Sequence, residues 1–176
     1  MALTEKKFLT DEEFSCLLRL CDRHRTTRDS ILIRFILFTG ARSCEALAVT
    51  RDSLGKGCVA LKGAKGSNDR TIPLPPKFYK ELIDYVDRVE GERLFPISTR
   101  MLRYIWRDYR PNFDKGVHCL RHTFGVRLYM NCEDIHAVKT ALGHKSIINT
   151  QIYVDFVENV KTMRTKLNGM WDLKVA

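Results

Sequence analysis

No apolar run in this chain is long enough to cross a bilayer: the longest, Ile31 to Phe38, is interrupted by Arg34, whereas a spanning helix needs about 20 apolar residues. The first residues, Met-Ala-Leu-Thr-Glu-Lys-Lys, lack the apolar core of a secretion signal. The six cysteines (Cys16, Cys21, Cys44, Cys58, Cys119 and Cys132) include no C-x-x-C pair. Without export, they are expected to be reduced thiols serving as small core residues rather than a disulfide framework. No internal repeat, low-complexity tract or interdomain linker interrupts the sequence. Acidic residues are scarce: 21 Asp and Glu face 30 Lys and Arg, a net charge of +9.

That basic excess favours a polyanionic partner, nucleic acid before an acidic membrane surface. With 176 residues, 44% of them hydrophobic, the chain is expected to form one globular domain over 1–176. Residues 1–9 form a short leader in this reading and 157–176 a C-terminal tail. Thr10-Asp11-Glu12-Glu13 fits a capping box, after which Phe14, Leu17, Leu18 and Cys21 recur at helical spacing. A nearly all-apolar stretch from Asp29 to Phe38 predicts a buried helix that ends at Gly40, and Ser43 to Val49 another short helix. Strands are predicted at 58–61 and 71–74, with Pro73 placing the second at an edge. Five helices are predicted beyond them: 77–89, 99–109, 118–130, 133–142 and 149–166. The fold class is mainly α with a small antiparallel β-sheet (α+β).

The chemistry is densest in His118-Cys119-Leu120-Arg121-His122, then Leu142-Gly143-His144, then Tyr153 nine residues on. Upstream stand Thr39-Gly40-Ala41-Arg42 and Lys62-Gly63-Ala64-Lys65-Gly66. This set suits attack on a phosphodiester without a metal. The transition state concentrates negative charge on the nonbridging oxygens, and a planar guanidinium bonds two oxygens at once. Arg42 and Arg121 are the candidate clamps, each such donor being worth roughly 3 to 4 kcal/mol. Tyr153 is the candidate nucleophile, His118 its base, and His144 a hydrogen-bond donor to the phosphate. Lys65, preferred over Lys62 on its spacing to Pro73, is the candidate acid for the leaving 5′-oxygen. The product is a 3′-phosphotyrosine and a free 5′-hydroxyl, and because the ester keeps the energy of the broken bond, a second hydroxyl reverses the step without ATP.

These residues, in this order, resemble the active site of tyrosine recombinases, the family of phage integrases and chromosome-dimer resolvases. The family pattern has T-G-x-R with an acidic residue three positions on, matched by Arg42 and Glu45. It continues with a lysine in the turn between the second and third strands, H-x-L-R-H, L-G-H and the tyrosine, matched by Lys65, His118, Arg121, His144 and Tyr153. Lys65 to Leu74 also resembles the family hairpin K-G-x-x-x-R-x-[IV]-P-L, and the likeness runs over roughly residues 8–165. It implies a recombinase catalytic-domain fold, no cofactor or metal, double-stranded DNA as partner and a cytoplasmic, nucleoid-associated setting, with DNA integration, excision, inversion or resolution, as in mobile genetic elements, as the outcome. It also implies a homo-tetramer on DNA joined by exchange of the C-terminal tail, monomeric when free. The family's usual N-terminal core-binding domain is absent before residue 8, which fits either a catalytic fragment or a small recombinase that acts with a catalytic domain alone.

Several residues carry competing readings. Arg42 also suits capping of the preceding helix, and Glu45 reads as structural, holding Arg42 or a backbone amide. His118 and His122 have an i, i+4 spacing that zinc also uses, but position 119 is cysteine where H-E-x-x-H has glutamate. His122 therefore reads as a hydrogen-bonded core residue, and His24 and His136 as solvated. Arg100, Arg103, Arg107 and Arg110 define a helix face that either tracks a phosphate backbone or is simply solvated, and Lys139 and Lys145 are further phosphate candidates. In the tail, Val160, Met163, Leu167 and Met170, with Trp171 beside them, form a stripe that either docks on a neighbouring protomer or packs on its own domain. Two rival functions remain: a type IB topoisomerase-like enzyme, and a noncatalytic DNA-binding regulatory module of the same fold.

Overall fold

A computed structural model describes residues 3–64 and 66–171. Among them the order is α1 (Asp11–Arg23), α2 (Arg28–Thr39), α3 (Ser43–Leu47), β1 (Leu54–Gly55), β2 (Cys58–Leu61), β3 (Arg70–Pro73), α4 (Pro76–Val86), α5 (Thr99–Tyr109), α6 (Cys119–Cys132), α7 (Ile135–Leu142) and α8 (Ile148–Trp171). The architecture is the mainly helical one with a small antiparallel sheet that the sequence predicts.

α2 is the axis of the molecule. Ile31, Leu32, Ile33 and Phe35 have no exposed surface, because a helix without a polar face must be covered on all sides. α1, α3, α4 and α6 supply the cover. Its one internal charge, Arg34, is 4% exposed and is neutralised by Glu81 on α4, with a further bond to the Arg25 carbonyl at 2.5 Å. Pairing is what makes such a buried charge tolerable. Thr27 caps the start of the helix. Gly40 ends it in the left-handed region at φ 61°, a conformation that costs glycine nothing.

The sheet runs β1-β2-β3, all antiparallel, with Leu61 opposite Arg70 and Cys58 opposite Pro73. Pro73 lies on the edge strand, as expected. The two-residue β1 has no sequence signature, and the predicted pair of strands is in fact three. Val59, Leu61 and Ile72 face the main core. A second, smaller core joins Val126 and Tyr129 of α6, Val138 and Leu142 of α7, and Tyr153 and Val157 of α8.

The predicted capping box holds: Thr10 accepts from the Glu13 amide and Glu13 from the Thr10 amide. The segment read as a leader is packed rather than loose. Leu3, Phe8 and Leu9 are buried, the Phe8 ring lies 4.9 Å from that of Phe156 on α8, and the Leu9 amide donates to Thr123 Oγ1 at 2.8 Å. The cysteine expectation needs a correction too: only Cys21 and Cys119 are buried, while Cys16, Cys44 and Cys132 are exposed. Those three fall on the outer faces of their helices. α8 continues past the predicted end. Val160, Met163 and Leu167 are 45%, 57% and 43% exposed, so the described part of the tail stripe is only half covered. The side chains of Met170 and Trp171 lie outside the described residues. No helix among the described residues is long and apolar enough to cross a membrane.

Candidate active site

Glu45 organises the site. It is the third residue of α3, and its carboxylate reaches back to the Arg42 amide at 2.9 Å, fixing the start of the helix. The same carboxylate accepts from Arg42 Nη1 at 3.1 Å, Arg70 Nη2 at 2.7 Å and the Ala64 amide at 3.3 Å, and stands 3.8 Å from Arg121 Nη1. Its side chain has no exposed surface. Burial alone would raise its pKa, but the bonds from Arg70 and Arg42 outweigh that and hold it down to about 2. One anion thus gathers three guanidinium groups that would otherwise repel one another. Arg42 caps α3 rather than α2, and its side chain is 25% exposed, facing outward from the group.

Arg121, from the first turn of α6, is 2% exposed. It donates to the Gly40 carbonyl at 2.7 Å and to the Leu142 carbonyl at 2.8 Å. Both acceptors lie at helix C-termini, where orphan carbonyls and the helix dipole favour a cation. Burial and Arg42 lower its pKa to about 10, which leaves it charged at neutral pH.

The hairpin between β2 and β3 is pinned to the turn after α7. The Asn68 amide and Ser67 Oγ donate to the Gly143 carbonyl at 2.7 and 3.1 Å, and Ser67 bridges to His144. A side chain at Gly143 would meet Asn68 O at 2.7 Å, and the residue sits at φ 69°, so close approach and conformation both require glycine there. Arg70 completes the tie by donating to the Ala141 carbonyl at 2.8 Å. Lys65 lies outside the described residues. Lys62, its rival, is exposed.

His144 is 7% exposed and pairs through Nδ1 with Thr150 Oγ1 at 2.9 Å. Burial and the charges of Arg121, Arg42 and Arg70 push its pKa down to about 4. Tyr153 is 1% exposed. Its ring stacks nearly parallel to that of His144, 6.5 Å between centroids. Burial pushes the phenol up to about 12 against the opposing pull of Arg121 and Arg42. The Tyr153 hydroxyl is bonded to His122 Nδ1 at 3.1 Å, so its partner here is His122 and not His118, the base expected from the sequence. His118 stands at the exposed rim as the residue preceding α6, its ring edge-on to His122 at 4.7 Å. Partial loss of hydration, with the charges of Arg121 and Arg42, lowers its pKa.

Of the six residues proposed from sequence, the structure gathers Arg42, His118, Arg121, His144 and Tyr153. Arg70 and Thr150 had no assigned part; Arg70 belonged to the quoted hairpin pattern, but only the fold reveals that its head reaches Glu45. Arg100, Arg103 and Arg107 lie on the exposed face of α5, opposite the buried Leu102, Ile105, Trp106 and Tyr109. Arg100 and Arg107 each sit over the Tyr104 ring at 5.8 Å. Lys145 is exposed and Lys139 half-buried.

Known proteins of the same kind share this chain's sequence and fold. Residues 7–159 match the model of the phage integrase family. The chain is 29% identical to tyrosine recombinase XerA of Thermococcus kodakarensis, over 91% of this chain and 62% of that protein. It is 31% identical to the integrase of Escherichia phage 186, over 94% of this chain and 49% of that one. The chain therefore spans about half to three-fifths of the length of these relatives. Among solved structures, XerH site-specific recombinase bound to its difH substrate superposes with a TM-score of 0.70 at 28% identity, covering 92% of this chain and 53% of that one. The catalytic domain of bacteriophage HP1 integrase gives 0.68 at 28% identity, covering 85% and 87%. Sequence and fold coincide, and the chain belongs to the phage integrase family of tyrosine recombinases.

Proposed function

We propose that this chain carries the catalytic domain of a site-specific DNA recombinase that cuts and rejoins double-stranded DNA through a 3′-phosphotyrosine. The observation that carries this reading is the meeting of Arg42 and Arg121 on Glu45, beside His144 and a tyrosine on the following helix. Arg42 and Arg121 hold the nonbridging oxygens of the scissile phosphate, with His144 as a further donor. The Tyr153 oxygen attacks phosphorus, and the bond to the 5′-oxygen breaks. The phenolic proton passes to the imidazole of His118 at the rim, while Lys65 protonates the departing oxygen. Attack by a second 5′-hydroxyl releases Tyr153 and restores the phosphodiester. No step calls on a metal or on ATP.

Duplex DNA runs across the basic outer surface in this reading, with Arg100, Arg103 and Arg107 on α5 and Lys139 and Lys145 near the site as phosphate contacts. The half-covered stripe on α8 supports tail exchange between protomers of a tetramer on DNA. A nicked duplex made from the DNA flanking the gene tests the proposal. A covalent adduct that disappears in Tyr153→Phe is expected. Binding without an adduct indicates a DNA-binding module, and relaxation of a supercoiled plasmid that lacks any target site indicates a topoisomerase.

A further inference from the structure

Gly125 lies in the interior of α6 and is buried. Glycine weakens a helix relative to alanine, so its presence there calls for a reason. The reason is Tyr153. A Cβ at position 125 would lie 2.7 Å from Tyr153 Cε1, 2.8 Å from Cζ and 3.1 Å from Cδ1. The phenol ring rests directly against bare helix backbone, in a slot that any side chain would fill. One turn earlier on the same helix, His122 Nδ1 holds the hydroxyl at 3.1 Å. The His144 ring lies nearly parallel to the seated phenol. The slot fixes the ring, His122 fixes its oxygen, and the residue is left 1% exposed.

A phosphorus atom must come within bonding distance of that oxygen, and the seated phenol offers it no path. We propose that Gly125 and His122 are positioning residues: together they form a seat that holds Tyr153 back, and the ring must leave it before the oxygen meets DNA. The proposal rests on Tyr153 being the nucleophile. The identity of residue 125 then sets the balance between seated and released phenol, because a methyl group there and the ring cannot occupy the same space. His122 adds to the same balance through one hydrogen bond, whose loss shifts an opening equilibrium by roughly tenfold.

Acetylation of tyrosine hydroxyls by N-acetylimidazole tests the seat without any cleavage. Tryptic peptide 146–161 contains Tyr153 as its one tyrosine, and Tyr104, 44% exposed, is the internal reference. Three folded proteins are compared: the unaltered chain, Gly125→Ala, and His122→Phe, which keeps a ring but loses the bond. In the unaltered chain Tyr104 reacts and Tyr153 resists. In both variants the Tyr153 to Tyr104 ratio rises, by about tenfold for His122→Phe and by at least as much for Gly125→Ala. An unchanged ratio in folded Gly125→Ala overturns the seat. Should Gly125→Ala not fold, an unchanged ratio in His122→Phe overturns it in its place. The adduct assay on the unaltered chain reports separately on Tyr153 as nucleophile, so the two readings fail independently.

Discussion

Arg70 and Glu45 form an ion pair of 2.7 Å with side chains only 3% and 0% exposed. The pair joins the edge strand of the sheet to the first turn of α3, and through Ala141 to the end of α7. Two of the segments that carry catalytic candidates therefore share one carboxylate, and the site's geometry depends on its charge.

Glu45→Gln removes that charge and leaves Arg70 and Arg121 buried without an anion. A loss of about 3 to 5 kcal/mol in urea unfolding is expected, as for other broken buried pairs. The pH dependence follows from the depressed pKa. The folded value is about 2 against an ordinary 4.5, so the stabilisation is complete above the ordinary value and is lost as pH falls through the folded one. It amounts to about 3 kcal/mol. Unfolding curves of the unaltered chain should steepen over that acid window relative to those of Glu45→Gln, and identical slopes would contradict the assignment.

His144 moves the same way for the opposite reason. It is buried neutral, at about 4 against an ordinary 6.5, so the unfolded chain binds the proton first as pH drops. His144 should contribute about 3 kcal/mol of stability that is lost as pH falls from the ordinary value toward the folded one, and His122, also lowered to about 4 by burial, adds to the decline. His144→Gln, which can keep the bond to Thr150, should make that decline shallower by His144's share. Thermal midpoints across the interval measure it.

Arg121→Ala should abolish adduct formation, by at least about a hundredfold, while most salt-sensitive DNA binding remains, because Arg121 is buried and the proposed outer contacts on α5 and at Lys139 and Lys145 stay in place. The loss of its bonds to Gly40 and Leu142 also weakens the fold, so binding and circular dichroism are measured on the same sample. Retained cleavage would remove Arg121 from the clamp.

Local signals made much of this chain legible. The capping box at Thr10, the unbroken apolar stretch of α2 and the buried and exposed faces of α5 each follow from neighbours within a few positions, and the helices formed as predicted. β1 escaped because two residues carry no period. The site was legible as a set of residue types in order, but not as a network. Arg70 reaches Glu45 across 25 residues, and Tyr153 meets His122 across 31; such pairings exist only once the helices pack. Gly125 shows the same limit, since within its own helix nothing marks it apart from a weak helix former.

Lys65→Ala should cut normal DNA slowly, because an alkoxide leaves poorly without a proton. A substrate with sulfur in place of the 5′-bridging oxygen should restore cleavage, since a thiolate leaves unaided, while Lys62→Ala should behave as the unaltered chain on both substrates. Failure of the sulfur substrate to rescue Lys65→Ala would move the acid role to Lys62 or another group.

The α5 face offers the clearest separation of binding from chemistry. Each phosphate neutralised by Lys or Arg releases counterions, and removing one contact lowers the slope of log K against log salt by about 0.9. Arg100 and Arg107 flank Tyr104 and are held by its ring, whereas Arg103 stands free of that stack on the same exposed face. A face that tracks DNA predicts that Arg100→Gln with Arg107→Gln reduces the slope by about 2. Cleavage at saturating protein should stay near normal, because neither residue lies in the Glu45 network. An unchanged slope would mean that these arginines only solvate the helix, and that the duplex crosses the protein elsewhere.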